Sequence, residues 1–542
     1  MAHLPILRSD RARRAAALAA LALLAGGCTT LDQWVCNGFK VGPNYRQQPA
    51  PVAAQWIDAD DERVAAAPPD DAWWAVFNDP ALDSLIETAY KQNLDLKTAA
   101  TRVLQARAQR NIAAGNLLPQ TQEAVGAYAH AQLSKNGGLF GPGGVAGPPA
   151  AAAALTPTTF DVWASGFNAT WELDFWGRIR RNIESSKAQL AASVDDYRNS
   201  LVTLTADVAT QYVQIRTFQQ RIAYARQNAE LQRKSLGIVR DRKDLGRADA
   251  LDVAQAQSLL AQTEASIPPL EIGLRQANDQ LCILLGLPPR ELVSCLPEAP
   301  VPSAPPQVAV GLPAELLLRR PDVRAAERQA AAQCAQIGVA EADFYPRIAA
   351  TGFLGYTAND IRQLFAEDSL TGVIAPNFQW KILNYGRILN NVRSQDARFQ
   401  ELTLDYQRSV LSAAREVEDA LAGFLQYQAQ ARSLQTSVEA AQTSVDKVLI
   451  QWQAGAADFN RVFTTQSQLV TAQDQLAVAQ GNIALSLISV YRALGGGWQT
   501  LEKSGAETCA KPEPTAIGDL LEGVPRSEQW VPAAPAAPTP KP

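Results

Sequence analysis

The stretch WELDFWGRIRRN opens at Trp171, and WKILNYGRILNN opens at Trp380, 209 positions later. A long internal repeat constrains the fold more than composition does, because each copy must be one structural unit that buries its faces against the next. The same offset aligns Gly177, Arg178, Asn182, Asp196 and Tyr197 with Gly386, Arg387, Asn391, Asp405 and Tyr406. Without a gap it then pairs Gly246, Asp249, Val253 and Gln257 with Gly455, Asp458, Val462 and Gln466. It ends on Leu285–Gly286 against Leu494–Gly495. Upstream the offset is 227, setting Asp95, Ala99, Ala113 and Pro119 against Asp322, Ala326, Ala340 and Pro346. The first copy therefore carries 227 − 209 = 18 further residues between Pro119 and Trp171, where NGGLFGPGGVAGPPAAAAAL lies. The expected division is a signal segment (1–27), an extended N-terminal segment (28–75), repeat one (76–286), a proline-rich linker (287–312), repeat two (313–497) and a C-terminal segment with a disordered tail (498–542).

Each copy has two textures. No proline or glycine interrupts the chain between Gly177 and Gly237, and Leu190, Val194, Tyr197, Leu201, Leu204, Val208 and Ile215 recur in steps of three and four. A sustained period near 3.5 predicts helices that supercoil left-handedly around partners. About 65 residues at 1.5 Å each make a helix on the order of 100 Å long, a wall rather than the core of a compact domain. Both long helices end at glycine turns, DLGRADALDV and WQAGAADFNR, with Asp249 and Asp458 placed as N-caps of returning helices. Before each hairpin the chain turns aromatic and roughly alternating: GAYAHAQL and FDVWASGFNATWEL in copy one, RIAATGFLGYTA and TGVIAPNFQWKIL in copy two. These read as two strands per copy. Four strands are too few to close a membrane barrel, and open edges are not tolerated in lipid. Several chains must share one barrel.

The N-terminus reads as a targeting segment: Arg8, Arg11, Arg13 and Arg14, then AAALAALALLAGG, then Cys28. Small residues before Cys28 resemble a bacterial lipobox, the signal for cleavage and covalent diacylglycerol and N-acyl attachment at that cysteine; a plain secretory signal is the other reading. Thr29, which is not aspartate, fits sorting to the outer membrane. No later stretch offers the roughly 18 apolar residues of a spanning helix. Cys36, Cys282, Cys295, Cys334 and Cys509 remain, and a Cys282–Cys295 bridge is one pairing among those open. A net charge of −5 argues against a nucleic-acid partner. The sequence contains two histidines, His3 and His130, and one methionine, Met1. No nucleophile–base pair or metal-ligand spacing stands out, so neither an enzyme nor a bound metal or other cofactor is expected. His130 reads as an ordinary polar strand residue, and the lack of thioethers weakens a Cu(I) or Ag(I) route.

The blocks VGPNYRQQPAP (41–51), WWAVFNDPALDSLIETAYKQNLDL (73–96), GLPAELLLRRPDVRAAERQ (311–329), AQIGVAEADFYPRIAATGFLGY (335–356) and ALGGGW (493–498) resemble the TolC-like outer-membrane efflux proteins, in the lipoprotein branch that serves tripartite resistance–nodulation–division (RND) pumps. The resemblance implies an α+β membrane channel. In it a homotrimer forms a twelve-stranded barrel in the outer membrane, continued by a long α-helical barrel in the periplasm. It implies a passive exit duct that meets a periplasmic adaptor and an inner-membrane RND transporter. The tips that would dock the adaptor match Leu245, Gly246 and Arg247 in copy one and Ala454, Gly455 and Ala456 in copy two; tight helix connections alone also need those glycines. Asp252 and Arg461 occupy the same place in the two copies. Their charges can pair across neighbouring hairpins as an entrance gate, or Asp252 can serve its own helix dipole. Trp452 either borders the entrance or fills the coiled coil. The family often has an acidic residue beyond the second tip, where this chain reads NRVFTTQ (460–466), so an acidic ring from copy two is not expected. The other functions open to such a chain are an exit duct for type I protein secretion and a purely periplasmic coiled-coil lipoprotein.

Overall fold

The computed structural model describes residues 31–67, 70–132, 159–292, 299–315 and 319–501. In chain order these form α1 (Leu31–Cys36), β1 (Val64–Ala65), α2 (Pro80–Gln92), α3 (Leu94–Gly115), β2 (Thr121–Gln132), β3 (Thr159–Leu173), α4 (Arg178–Asp244), α5 (Ala250–Leu284), β4 (Val308–Ala309), α6 (Pro321–Glu341), β5 (Arg347–Ala358), β6 (Leu370–Gln379), α7 (Arg387–Gln453) and α8 (Phe459–Ala493). Helices α4 and α7 are each 67 residues long, and α5 and α8 are each 35. Both long helices begin after a left-handed glycine, Gly177 or Gly386, which turns the chain out of the sheet and into the helix. Gly237 interrupts nothing, because a single glycine costs only about 1 kcal/mol inside a helix held by its neighbours.

The hairpins α4–α5 and α7–α8 lie side by side, with α6 wedged between α4 and α7, and α3 packed chiefly against α4. Their central core joins both copies to the N-terminal segment and the linker. Trp73, Leu82 and Ile86 meet Leu201, Tyr212 and Leu281 from the first hairpin, and Tyr406, Phe424 and Leu487 from the second. The linker reaches this belt through a two-residue parallel ladder, Val64–Ala65 beside Val308–Ala309, and Trp56 Nε1 donates to the Gly311 carbonyl at 3.0 Å. Arg320 is buried at the same level. Its guanidinium donates to Asp322 (2.6 Å), Glu416 (2.8 Å) and the Ala493 carbonyl that ends α8 (2.8 Å). A buried guanidinium is tolerated only when paired and hydrogen-bonded in this way.

Nearer the sheet, the N-terminal segment is pinned across α4 and α6. Arg181 donates to the carbonyls of Val41 (2.9 Å) and Gly42 (2.7 Å). Gly42, at φ +82°, lies so close to Gly338 that a Cβ there would stand 2.4 Å from the Gly338 Cα.

Three expectations are corrected. β6 stops at Gln379, and Trp380–Leu383 is not strand; Trp380 Nε1 instead donates to the Phe344 carbonyl (2.9 Å), drawing the chain toward the helices. β2 starts at Thr121, earlier than its aromatic residues suggest, because the ladder to β3 continues to Thr170. Cys282 is a free buried thiol whose Sγ lies 3.3 Å from the Arg290 carbonyl; Cys295 lies outside the described residues. Helix α5 also carries Pro268 and Pro269 in its interior, a feature with no counterpart in α8.

Candidate channel wall and entrance

Strands β2, β3, β5 and β6 form one antiparallel sheet in the order β2-β3-β5-β6, leaving β2 and β6 as edges. The register pairs Trp163 with Tyr128, and Phe167 with both Ala124 and Leu354. Because side chains alternate, one face collects Tyr128, Trp163, Phe167, Trp171, Leu354, Tyr356, Leu370, Ile374 and Phe378. The rings of Tyr128 and Trp163 touch there, with centroids 4.3 Å apart, and most of this face is exposed. The opposite face carries Glu123, Asn168, Thr170, Glu172, Thr351, Thr371, Asn377 and Gln379, interspersed with small residues and with Val125, Phe160, Val162, Phe353 and Val373. An exposed sheet face rich in aromatic and aliphatic side chains, backed by a polar one, has the patterning of a wall between lipid and water. His130 Nδ1 contacts Asp161 Oδ1 at 2.7 Å, and Tyr128 donates to the same oxygen at 3.0 Å. This is the polar pairing of a strand end, with no metal-ligating cluster among the described residues.

The far end of the hairpins is built from two matching turns. Gly246 (φ +70°) and Gly455 (φ +78°) sit just past the long helices. Arg247 N–H donates to Arg242 O (2.7 Å), and Ala456 N–H donates to Gln451 O (2.8 Å), closing each helix with the bond pattern of a left-handed C-terminal cap. Asp458 then accepts the Arg461 N–H (3.0 Å). Asp249 caps α5, and Asp252 returns the favour by accepting the Asp249 N–H at 3.2 Å. Leu245, Gly246, Arg247, Ala454, Gly455 and Ala456 are all exposed. Asp252 thus serves its own turn, while the Arg461 side chain is exposed with no ion pair inside the chain among the described residues.

Trp452 is buried against Phe459, with ring centroids 5.5 Å apart, so in the single chain it fills the coiled coil. Arg242 covers it, with Cζ 4.8 Å from the ring centroid, and donates to the carbonyls of Trp452 (2.7 Å) and Gln453 (3.1 Å). Sequence reading missed Arg242 because its partners lie 210 residues away; only its position at the end of a heptad stripe on α4 hinted at it. Cys28 lies outside the described residues.

Two stretches, 85–287 and 312–496, match the family model for the outer membrane efflux protein. The chain belongs to this family. It is 32% identical over 479 residues to the pyoverdine export outer membrane protein OpmQ of Pseudomonas aeruginosa, covering 88% of this chain and 96% of that one. It is 28% identical over 464 residues to the probable outer membrane lipoprotein SilC of Salmonella typhimurium, covering 84% and 95%. Among solved structures it superposes on the outer-membrane channel OprN with a TM-score of 0.78, at 31% identity over 85% of this chain and 99% of that one. This outer-membrane efflux protein is accordingly a transport component of the outer membrane, reaching into the periplasm.

Proposed function

We propose that three copies of this efflux protein close into a twelve-stranded barrel and a continuous helical tube, the passive exit duct of a tripartite pump for drugs or other small solutes. The observation that carries the proposal is the four-stranded sheet, whose apolar face is exposed while both edges are open. Unpaired edge groups cannot face hydrocarbon, and pairing β6 of one copy with β2 of the next removes every edge when three copies meet. The helices support the same closure. α6 is held between α4 and α7, yet its counterpart α3 packs chiefly on α4, leaving a face for α7 of another copy. Leu404 and Leu411 wait on that part of α7, 60% and 54% exposed.

Covalent lipid on Cys28, after removal of 1–27, anchors the duct to outer-membrane lipid, a reading supported by similarity to a protein named as a lipoprotein. The exposed tips at Leu245–Arg247 and Ala454–Ala456 dock a periplasmic adaptor, which joins the duct to an inner-membrane RND transporter. Between neighbouring copies Arg461 is free to meet Asp252, and an exposed ion pair worth about 0.2–1 kcal/mol is weak enough to be reversible. Asp249 and Asp458 keep the turns shaped, and Trp452 backs them. The repeats at 76–286 and 313–497 supply the wall, with the segments at 28–75, 287–312 and 498–542 at mid-length.

The test is the native mass and the KCl conductance of detergent-purified, full-length protein in planar bilayers. A trimer that conducts, and that runs as monomer only after heating, is expected. A stable monomer, or a trimer that never conducts, overturns the reading. Mass analysis of wild type and Cys28→Ser checks the acyl groups separately.

A further inference from the structure

Part of the N-terminal segment lies as a strap over the seam between α4 and α6, close under the sheet. Trp34 packs on Phe175 and Trp176, with ring centroids 5.3 and 5.5 Å away. Arg180 donates to the carbonyls of Gly38 (2.8 Å) and Phe39 (2.9 Å), and Lys40 pairs with Glu184. On α6, Gly42 is seated against Gly338 and 3.7 Å from Glu341, measured from its built Cβ, and Tyr45 donates to Glu327 at 3.4 Å. The Pro43 carbonyl lies beside the Cys334 thiol at 4.0 Å. This seat therefore has a glycine floor for the strap and carboxylates along it, at Glu184, Glu327 and Glu341.

The internal repeat gives this seam a counterpart, where α3 of one copy would sit on α7 of its neighbour. On α7, Tyr385, Leu389, Asn390 and Arg393 stand where α4 has Trp176, Arg180, Arg181 and Glu184. On α3, Arg107 and Asn111 stand where α6 has Cys334 and Gly338, and Ala100 and Ala114 replace Glu327 and Glu341. A Cβ at Gly338 would lie 2.9 Å from both the Val41 carbonyl oxygen and Arg181 Nε, so Asn111 excludes a second strap of the same kind. The three carboxylates are gone and two arginines have come in. Arg110 adds a third, donating to Asn111 Oδ1 at 3.1 Å. Along its length α3 sets Lys97, Arg102, Arg107 and Arg110 against Asp95 alone, whereas α6 sets Arg324 and Arg328 against Asp322, Glu327 and Glu341. Arg107, Arg110 and Arg393 are exposed, and none is ion-paired within the chain among the described residues. The nearest carboxylate along α7 is Asp396, which accepts from Gln400 at 2.8 Å. Tyr385, between these cations and the sheet, is 89% exposed.

We infer that this second seat, built by α7 of one copy and α3 of the next, holds an anionic phospholipid of the periplasmic leaflet. Its phosphate lies among Arg393, Arg107 and Arg110, whose planar forks match phosphate oxygens two at a time. Its glycerol and upper acyl chain cover Tyr385 and Leu389. The depth is right for a headgroup. Arg393 is six residues into α7 and Arg107 eight before the end of α3, which places both within about 12 Å of the base of the sheet. Headgroups extend several ångströms below the hydrocarbon, and arginine stems reach toward them. The side is right as well, because the strap on the first seat follows Cys28, the lipid-bearing residue of the proposal above, and both seats then face the membrane rather than the lumen. The inference rests on the trimeric reading, which brings α3 and α7 together, and gives its seams a lipid partner.

Full-length protein in detergent micelles, titrated with phosphatidylglycerol or with phosphatidylcholine of the same acyl chains and followed by native mass spectrometry, tests it. The trimer should retain phosphatidylglycerol with an affinity about tenfold or more above that for phosphatidylcholine. Arg107→Glu with Arg393→Glu should lower the phosphatidylglycerol affinity about tenfold or more. Arg107→Gln with Arg393→Gln, which puts no like charges across the seam, should lower it about fivefold and leave the trimer intact. Excess glycerol phosphate, the headgroup chemistry without acyl chains, should leave bound lipid in place. A trimer that binds both lipids alike overturns the inference, as do glutamine variants that bind phosphatidylglycerol like wild type. Displacement by glycerol phosphate also overturns it, since the seat would then take free anions. So does uptake of lipid only after deletion of residues 502–542, which would give the seat to the C-terminal tail. A native mass other than a trimer for the wild type instead overturns the trimeric reading itself, and the seat with it.

Discussion

Gln232 is buried on α4 between Asn228 and Ser235, and neither atom of its side-chain amide has a hydrogen-bond partner. Leaving a buried amide unpaired costs about 1–3 kcal/mol, and the second copy has Ala441 at the same place. Gln232→Leu, which fills the space without the polar atoms, should therefore raise the unfolding temperature of the purified protein by about 1 °C, on the order of 1 kcal/mol of stabilisation for a chain of this length. A lower unfolding temperature would mean that the amide finds a partner in the assembled tube. Cysteine chemistry offers a second check on burial. Cys36 is exposed, whereas Cys282 and Cys334 are buried. Removal from water pushes the Cys334 thiol up to about 11, so almost none of it is thiolate at pH 8, and the thiolate is the reactive form. Maleimide treatment of the folded protein at pH 8 should label Cys36 and spare Cys334 until denaturant is added, as read by peptide mass mapping.

At the scale of elements, β3 and β5 face each other without side chains at the register pair Gly166 and Gly355. A Cβ on Gly166 would lie 2.6 Å from the Gly355 Cα, and one on Gly355 would lie 2.9 Å from the Phe353 ring. The ring lies across both glycines on the polar face. Gly355→Val should therefore force the strands apart at a cost of about 1–3 kcal/mol, seen as a smaller heat-resistant fraction on gels; an unchanged fraction would show that the strands can shift to accommodate it. Much of this level was legible in advance. Helix length followed from the uninterrupted heptads after Gly177, the turns from Gly246 and Gly455, the caps from Asp249 and Asp458, and the strands from aromatic alternation. Less legible was anything set by a partner distant in the chain. Arg242 meets Trp452 across hairpins, the 64–65 segment pairs with 308–309, and the end of β6 is fixed by a bond from Trp380 to Phe344. Local pattern carries no record of which distant carbonyl a side chain will find. Asp252 shows the reverse hazard, since its capping of Asp249 was written in the spacing, yet a charge at a quasi-equivalent site also invites a gate reading.

For the whole molecule, the contrast between the two repeats says where a second chain would sit in the proposed trimer. Val202 on α4 is 3% exposed, and its counterpart Leu411 on α7 is 54% exposed. Asp195, bound to Arg324 of α6 at 2.9 Å, has the exposed Leu404 as its counterpart. The α3 position that answers Arg324 is Lys97, so the seat that α6 fills on α4 is repeated on α7 with a greasier floor and a cation above it. In the proposed trimer such a seat gains most from burial when the neighbour arrives, since a leucine side chain taken fully from water contributes about 1.5–3 kcal/mol, and three symmetric seats would multiply the effect. Leu411→Glu should then leave the helical circular-dichroism signal of the single chain intact while lowering the trimeric fraction in native mass spectra severalfold, with the deficit growing as protein is diluted. Val202→Glu should differ in kind, because its carboxylate would be buried within one chain: helical signal and expression should fall together. If Leu411→Glu assembles as well as wild type at every concentration, α7 does not hold the neighbouring chain, and the ring must close through the sheet edges alone.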